Sequence, residues 1–230
     1  MNKLPFKETL GEACQIGLKN ILSLIAVTLL YIVTIWIPYI NIGTTLAMSA
    51  LPAELAKGNV IDPFFIFGSK YRKNMGEFLL LMCFMYMALL LALVLLLVPG
   101  FVLAYSWCLA ILLFVDKDMK PLDALRKSNE LTYGYKWRMF GLEIVLALCL
   151  MIVDGIVVGI CEATGLETLG IILNCILCLL FVPFGLGLDA VIYRNLTREE
   201  EPKAEEPKEA PKAEEPKAEV VVEEVIVTEE

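Results

Sequence analysis

Three carboxylates lie inside the long apolar runs of this sequence, and they are its best candidates for chemistry. They are Glu143, Asp154 and Asp189. A charge at the centre of a membrane costs about 2.5–3.5 kcal/mol on insertion scales, so such residues usually pair or face an aqueous cavity. Counted at about 1.5 Å per residue along a helix, Asp154 lies at the depth of Asn174, and Glu143 at the depth of Asp189. Each pair could therefore meet if the last two helices pack antiparallel.

The same residues also have plainer structural interpretations. Glu143 and Asp189 could sit near the membrane interface and pair with Arg138 or Arg194. Asp154 has no cation nearby in the sequence, so it could hydrogen-bond the amide at its depth, lie in water near a helix end, or serve transport or proton transfer. The residues alone leave these alternatives open.

Other side chains offer little chemistry. The 230 residues include no His, and no Gly-rich phosphate loop is present. Cys175 and Cys178 form a C-x-x-C, but they lie in an apolar helix without a second pair, which favours packing over metal or redox use. We therefore expect no catalytic residue, no metal site and no cofactor, and we predict that the chain is not an enzyme.

Composition indicates a membrane protein. Hydrophobic residues make up 58% of the chain and its mean hydropathy is +0.72, well above the values of soluble domains. Residues 1–198 carry 15 basic and 14 acidic side chains, whereas residues 199–230 carry 4 and 13. The acidity thus belongs to the tail, and neither part favours nucleic acid as a partner.

Apolar runs of about 20 residues are long enough to span a bilayer. Two shorter runs follow the turn signals at 38–41 and at Pro99-Gly100. This pattern predicts an all-α polytopic fold of about six transmembrane or re-entrant helices, arranged as three hairpins. The long runs are 21–37, 78–98, 137–160 and 169–194, the short ones are 42–56 and 101–115, and the three units cover 4–56, 61–115 and 120–195 of a membrane domain 1–198.

Basic residues predict the orientation, since positively charged loops are retained in the cytoplasm. All Lys and Arg of residues 1–198 fall before the first run, between hairpins or after the last run. The loops around Asn41, Pro99 and 161–168 contain none. We expect a bacterial cytoplasmic membrane protein with both termini in the cytoplasm and no cleaved signal peptide.

A polar segment between the second and third hairpins predicts an amphipathic helix. Pro121 suits the first helical position, Asp123 the first turn and Gly134 the position after the end. Its apolar side would consist of Leu122, Ala124, Leu125 and Leu131. Such a helix would lie on the cytoplasmic membrane surface as an elbow before the hairpin, the alternative being an ordinary solvated loop helix.

Similar elbows precede the other hairpins. The sequence GYKWR at 134–138 is echoed by GSKYR at 68–72, and a fainter echo precedes the first run. The echo indicates either an internal repeat or the shared demands of a basic, aromatic membrane boundary. The candidate contacts to lipid headgroups are Lys70, Arg72, Lys136, Trp137 and Arg138.

These segments resemble the YciC-type family of bacterial integral membrane proteins, which is related to the membrane domain attached to some glycerophosphodiester phosphodiesterases. The resemblance rests on PGFVLAYS at 99–106, PLDALRKS at 121–128 and the G-x-K-W-R-M-F segment that begins at Gly134. It implies a six-helix membrane domain of largely unassigned function. Because this chain has no His, the diesterase activity of the family's soluble barrel is not expected. The signature positions are Pro99, Gly100, Pro121, Ala124, Ser128 and Gly134.

Two further segments have distinctive compositions. The stretch IGTTLAMSALPAELA at 42–56 is rich in small residues, which favours tight helix packing over a pore lining. The tail 199–230 is an acidic Pro/Lys/Glu/Ala-rich segment for which we predict disorder. Its end, VVVEEVIVTEE, could add a strand to a partner or could be unused.

Three functions remain open from the sequence. The first is a non-enzymatic membrane protein that organises lipids or protein partners, the latter through the tail or the elbow helices. The second is a transporter or permease-like protein that uses the intramembrane carboxylates. The third is the membrane subunit of a lipid-processing enzyme. A transporter should show a cavity that reaches Asp154 or Asp189, whereas a scaffold should have these residues packed and paired. The sequence does not predict an oligomeric state.

Overall fold

The structure is a computed structural model that describes residues 4–95 and 97–198, and within these ranges it contains helices and no strands. The tail 199–230, for which the sequence predicts disorder, lies outside the described residues. A 3₁₀-helix, Pro63–Phe67, follows the third helix. The α-helices are α1 Phe6–Lys19, α2 Ile21–Thr34, α3 Pro38–Ala56, α4 Ser69–Lys73, α5 Met75–Leu95, α6 Leu97–Trp107, α7 Ala110–Asp116, α8 Pro121–Thr132, α9 Lys136–Ala163 and α10 Glu167–Thr197.

Four segments are long and apolar enough to cross a membrane. The bent pair α1–α2, with 73° between its helices, would make a fifth span if it counts as one. The all-helical, multi-span class predicted from the sequence is therefore present, with four to five candidate spans in the described residues. The run 42–56 lies in α3, which is not among them. The four segments are Met75–Val94, Val98–Asp116, Lys136–Ala163 and Thr168–Thr197.

Both turn signals used to divide the hairpins are misplaced. Pro38 is the first residue of α3, and Pro99 and Gly100 lie in the first turn of α6. A proline fits there because the first N–H groups of a helix have no intrahelical partner. Pro38 therefore marks the start of α3, and Pro99 lies near the start of α6.

The helix α3 lies at the centre of the packed core. It contacts α10, α7 and α2, and its small residues let these neighbours approach closely. Its buried residues are Gly43, Thr44, Leu46, Ala47, Ala50, Leu51, Pro52, Ala53 and Leu55. Most of this face of α3 is packed against neighbouring helices, as its small residues favour, whereas Met48, Ser49 and Pro52 line a cavity.

The helix α1 packs tightly against the second half of α10. A Cβ atom on Gly187 would lie 2.5 Å from the carbonyl oxygen of Ala13, and one on Gly17 would lie 3.0 Å from the carbonyl oxygen of Pro183. Both distances are below ordinary van der Waals contact, so only glycine allows the two backbones to cross at this separation.

The helix α8 begins at Pro121, as predicted, and Gly134 follows its end with a φ of 82°. The face of α8 that packs against the protein was not predicted. It consists of the small residues Ala124, Ser128 and Thr132, four positions apart, whereas Leu122 of the predicted apolar side is exposed. Small side chains occupy this face because they let α8 lie close against α6 and α7.

Two long hairpins, α5–α6 and α9–α10, carry most of the exposed apolar surface. In the most apolar windows of α5, α9 and α10, 11%, 6% and 11% of the residues are buried. Their exposed side chains are mainly Leu, Ile, Val, Met and Phe. Uncovered apolar surface of this extent is what a bilayer would cover.

Candidate functional site

The structure brings Glu143 of α9 and Asp189 of α10 to the same two adjoining cavities. The first, which we call the core cavity, has a volume of about 270 Å³ and lies between α3, α7, α9 and α10. The second, the α9–α10 groove, has a volume of about 460 Å³ and runs between these two helices. The two carboxylates are the residues that line both, so they stand at the junction of the two cavities.

Asp189 is presented to the cavities by a firmly packed stretch of α10. Its neighbours Leu188, Ala190, Val191 and Ile192 are at most 1% exposed, whereas its own side chain is exposed to the cavities. Pro183, one and a half turns earlier, has no N–H and leaves one backbone carbonyl of α10 without its helical partner. The Asp189 carboxylate therefore belongs to a firmly packed part of α10. The hydrogen bonding of the helix is interrupted in the part that precedes it.

Glu143 is held by one neighbour from another helix. The hydroxyl of Tyr105 in α6 donates a hydrogen bond to Oε2 of Glu143. The ring of Phe101 lies between those of Tyr105 and Phe140, with 4.8 Å between ring centroids in each case. This aromatic packing between α6 and α9 orients the hydroxyl toward the carboxylate.

The core cavity also contains polar groups of α3 and α7. Because Pro52 lacks an N–H, the carbonyl of Met48 loses its helical donor, and both residues line the cavity. Ser49 contributes a hydroxyl and Cys108 a thiol. All of these groups can serve as acceptors for a donor placed in the cavity.

The ion pairs that the sequence allows for the two carboxylates are not formed in the described residues. Arg194 pairs with Glu12 of α1, and the guanidinium of Arg138 lies over the ring of Tyr135, 5.9 Å from its centroid. Close packing of α1 on α10 brings Glu12 within reach of Arg194. In the part of the chain that the structure describes, Glu143 and Asp189 form no ion pair.

The other predicted pair is formed. Nδ2 of Asn174 donates to Oδ1 of Asp154, which satisfies this carboxylate between the two helices. Asn174 also accepts a hydrogen bond from Cys178, at 3.8 Å, and it lines a third cavity of about 550 Å³ near the α9–α10 connection. Cys175 and Cys178 are both free thiols. At one carboxylate depth Asp154 is thus hydrogen-bonded across the two helices. At the other depth Glu143 is hydrogen-bonded to Tyr105, and Asp189 has no hydrogen bond or ion pair in the described residues.

The candidate headgroup contacts fall into two groups. Lys70, Arg72 and Trp137 are exposed, the last to 74%. Lys136 instead donates to the hydroxyl of Ser106 and, at 3.2 Å, to Oδ1 of Asn129. Its ammonium is therefore engaged inside the protein.

That contact belongs to a polar network that sequence reasoning missed. The chain is not helical between α6 and α7, and Ser128 donates to the carbonyl of Ser106 at 2.7 Å, while Thr132 approaches the same oxygen at 3.5 Å. Ser128 and Thr132 are fully buried. Their spacing on the small face of α8 was the available signal. Gly100 allows α6 to approach Leu93 of α5.

A charged cluster at the ends of α3 and α7 was also missed. Lys57 forms ion pairs with Asp116 and, at 3.0 Å, with Glu54, and the hydroxyl of Tyr193 donates to Asp116 at 2.7 Å. Burial alone would lower the pKa of Lys57, but its hydrogen bonds to Asp116 and Glu54 outweigh this and raise it. The cluster joins the ends of three helices. The sequence signal was a charge directly after each of two apolar runs.

The chain was compared with protein-family models, with curated proteins and with solved structures, and no match was found.

Proposed function

We propose that this chain is a non-enzymatic, multi-pass protein of a bacterial cytoplasmic membrane that binds a cationic ligand between its helices, as a transporter or permease does. The observation that carries the proposal is the pair of carboxylates, Glu143 and Asp189, at the junction of two cavities. Each lies in a segment apolar enough to span a membrane. Neither is neutralised by a cation of the described chain.

Each carboxylate placed within a bilayer costs about 2.5–3.5 kcal/mol on insertion scales, and two facing one cavity also repel each other. A hydrogen bond offsets part of this cost for Asp154, which has Asn174 as its donor, and for Glu143, which has Tyr105. Asp189 has no hydrogen bond or ion pair in the described residues and faces open space together with Glu143, so a bound cation would provide the missing charge.

The proposed topology has six membrane segments and three elbow helices. The helices α1, α4 and α8 precede α2–α3, α5–α6 and α9–α10, and would lie at the cytoplasmic surface with both termini, since every basic residue of 1–198 falls on that side. The hairpin α2–α3 is supported by hydrogen bonds from Thr34 to Thr44 at 3.1 Å and between Tyr31 and Thr45 at 3.2 Å. Such bonds satisfy hydroxyls that lipid cannot.

Binding of radiolabelled tetraphenylphosphonium to the full chain in nanodiscs tests the proposal. We expect Asp189→Asn and Glu143→Gln each to weaken binding at least tenfold, which corresponds to the loss of about 1.4 kcal/mol. Gln keeps an acceptor for Tyr105, and Asn removes a charge that has no ion pair, so both variants should fold.

Asp154→Asn is the matched control, because it removes an acidic charge from the same hairpin at the paired position. Its affinity should equal that of the wild type. Equal binding by all four proteins, or no saturable binding by the wild type, contradicts the proposal.

A second candidate function is the organisation of lipids or protein partners at the membrane surface. It is favoured by the exposure of Lys70, Arg72 and Trp137, a basic and aromatic set typical of a membrane boundary. Native mass spectrometry of gently purified protein would detect an anionic lipid whose retention is lost in Lys70→Gln/Arg72→Gln. Because Lys136 bonds to Ser106, its substitution should disturb α8 rather than lipid binding alone.

A further inference from the structure

The α9–α10 groove is apolar everywhere except at the two carboxylates. Leu146 and Leu150 of α9 line one wall, and Phe181 and Val182 of α10 line the other. Leu148 and Leu180, on the same stretches of helix, are exposed and also apolar. The groove therefore continues from a charged end at Glu143 and Asp189 along a surface suited to hydrocarbon.

The space in this groove is left open by small residues. Ala147 and Gly185 line it, and a Cβ atom on Gly185 would meet no heavy atom within 4 Å. Other glycines of the fold, such as Gly187, are required by close backbone contact. Gly185 is not, so its lack of a side chain serves to keep the groove open and not to pack two helices.

The core cavity provides the polar end of the same site. Met48, whose carbonyl is freed by Pro52, and Ser49, which has a hydroxyl, line the same cavity as the carboxylates. Acceptors and carboxylates around one space suit a positively charged group.

We infer that the ligand is an amphipathic ammonium ion, with its headgroup between Glu143 and Asp189 and its apolar chain along the α9–α10 groove. The inference rests on the proposed function and adds the class of ligand. Charge complementarity selects the headgroup, and burial of hydrocarbon against Leu, Phe and Val side chains selects the chain.

This chemistry has two sources, a free long-chain amine or a membrane lipid with an ammonium headgroup. Native mass spectrometry of the gently purified wild type and of Asp189→Asn distinguishes them. A retained mass that is absent from the variant identifies the source as a lipid or as a free amine.

The experiment that tests the inference is displacement of tetraphenylphosphonium by a series of alkyltrimethylammonium ions, from tetramethylammonium to the dodecyl compound. The full chain is used in nanodiscs, and uptake by empty nanodiscs is subtracted. A chain buried in the groove should strengthen displacement by about three- to fourfold per methylene until the groove is filled.

Gly185→Leu places a side chain in the groove without changing any charge, and the free space around Gly185 means that it should fold. We expect it to weaken binding of the dodecyl compound at least tenfold and that of tetramethylammonium less than twofold. Gly155→Leu is the matched control on α9, since a Cβ atom there also meets nothing within 4 Å and Gly155 does not line the groove.

Two failures are distinguishable. If tetraphenylphosphonium binding depends on Asp189 but displacement is independent of chain length, or is unchanged in Gly185→Leu, the inference is overturned and the proposed function stands. If tetraphenylphosphonium does not bind at all, the proposed function falls, and this inference falls with it.

Discussion

Replacing Gly187 by Ala should destabilise the protein by forcing α1 away from α10. The added Cβ would lie 2.5 Å from the carbonyl oxygen of Ala13, whereas ordinary contact begins at 3.4 Å. The obstacle is a backbone atom, so rotation of a side chain cannot remove it. The two helices must therefore separate by roughly 1 Å, a gap at which dispersion contacts already lose about a quarter to a half of their energy.

The expected change in the free energy of unfolding results from two opposing effects. Overpacking in a well-packed core costs about 1–3 kcal/mol, and Ala in a helix gains about 0.5–1 kcal/mol over Gly. Gly185→Ala measures the second effect alone, because its Cβ meets nothing within 4 Å. We therefore expect Gly187→Ala to be less stable than Gly185→Ala by about 1–3 kcal/mol.

The assay is unfolding in mixed micelles by increasing the fraction of dodecyl sulfate, followed by circular dichroism. The midpoint should fall for Gly187→Ala and stay level or rise for Gly185→Ala. Equal midpoints for the two variants would refute the reasoning, because they would mean that α1 does not pack against α10 at this separation.

Two further predictions concern the contacts that the sequence did not reveal. Ser128→Ala leaves the buried carbonyl of Ser106 with a weaker partner, so the same unfolding assay should show a loss of about 1–3 kcal/mol, and Ser128→Thr should lose less if the hydroxyl is what matters. Because the pKa of Lys57 is raised, its contribution to stability is complete below its ordinary value of 10.5 and is lost as the pH rises through the raised value. The stability difference between the wild type and Lys57→Met should therefore shrink as the pH rises through the raised pKa of Lys57. A difference that stays constant would contradict the ion pair with Asp116.

Much of the helical architecture could be predicted because apolar periodicity and length carry it directly. Three of the long apolar runs correspond to candidate spans, whereas 21–37 falls mostly in the bent pair α1–α2 and the short run 101–115 lies in the span Val98–Asp116. The start of α8 at Pro121 and the glycine after its end were correct. The depth count also paired Asp154 with Asn174, since two straight antiparallel helices keep their register over this distance. Apolar periodicity, capping residues and the rise per residue were sufficient wherever a feature depended on one helix or on two adjacent helices.

The errors share a physical cause, which is packing between helices distant in the sequence. The sequence allowed Arg194 to pair with Asp189, but α1 crosses α10 and supplies Glu12 instead. The apolar side predicted for α8 did not identify the face that packs in the protein, which consists of small side chains because α8 lies close to α6. In both cases the determining residues were Gly, Ala or Ser, whose effect is to permit contact, and a scale of hydrophobicity gives them little weight.

The candidate site could be predicted from the sequence only in part, because it consists of two cavities as well as of the residues that line them. Glu143 and Asp189 could be selected from the sequence, since carboxylates in apolar runs are rare and costly. The cavities beside them are lined by Pro52 of α3 and by Gly185 of α10, which leaves no side chain in the groove. Neither residue is charged or reactive, and the two lie on helices far apart in the chain. An unpaired charge in a sequence therefore identifies where a ligand could bind, but only the packing of its neighbours shows whether room for that ligand has been kept.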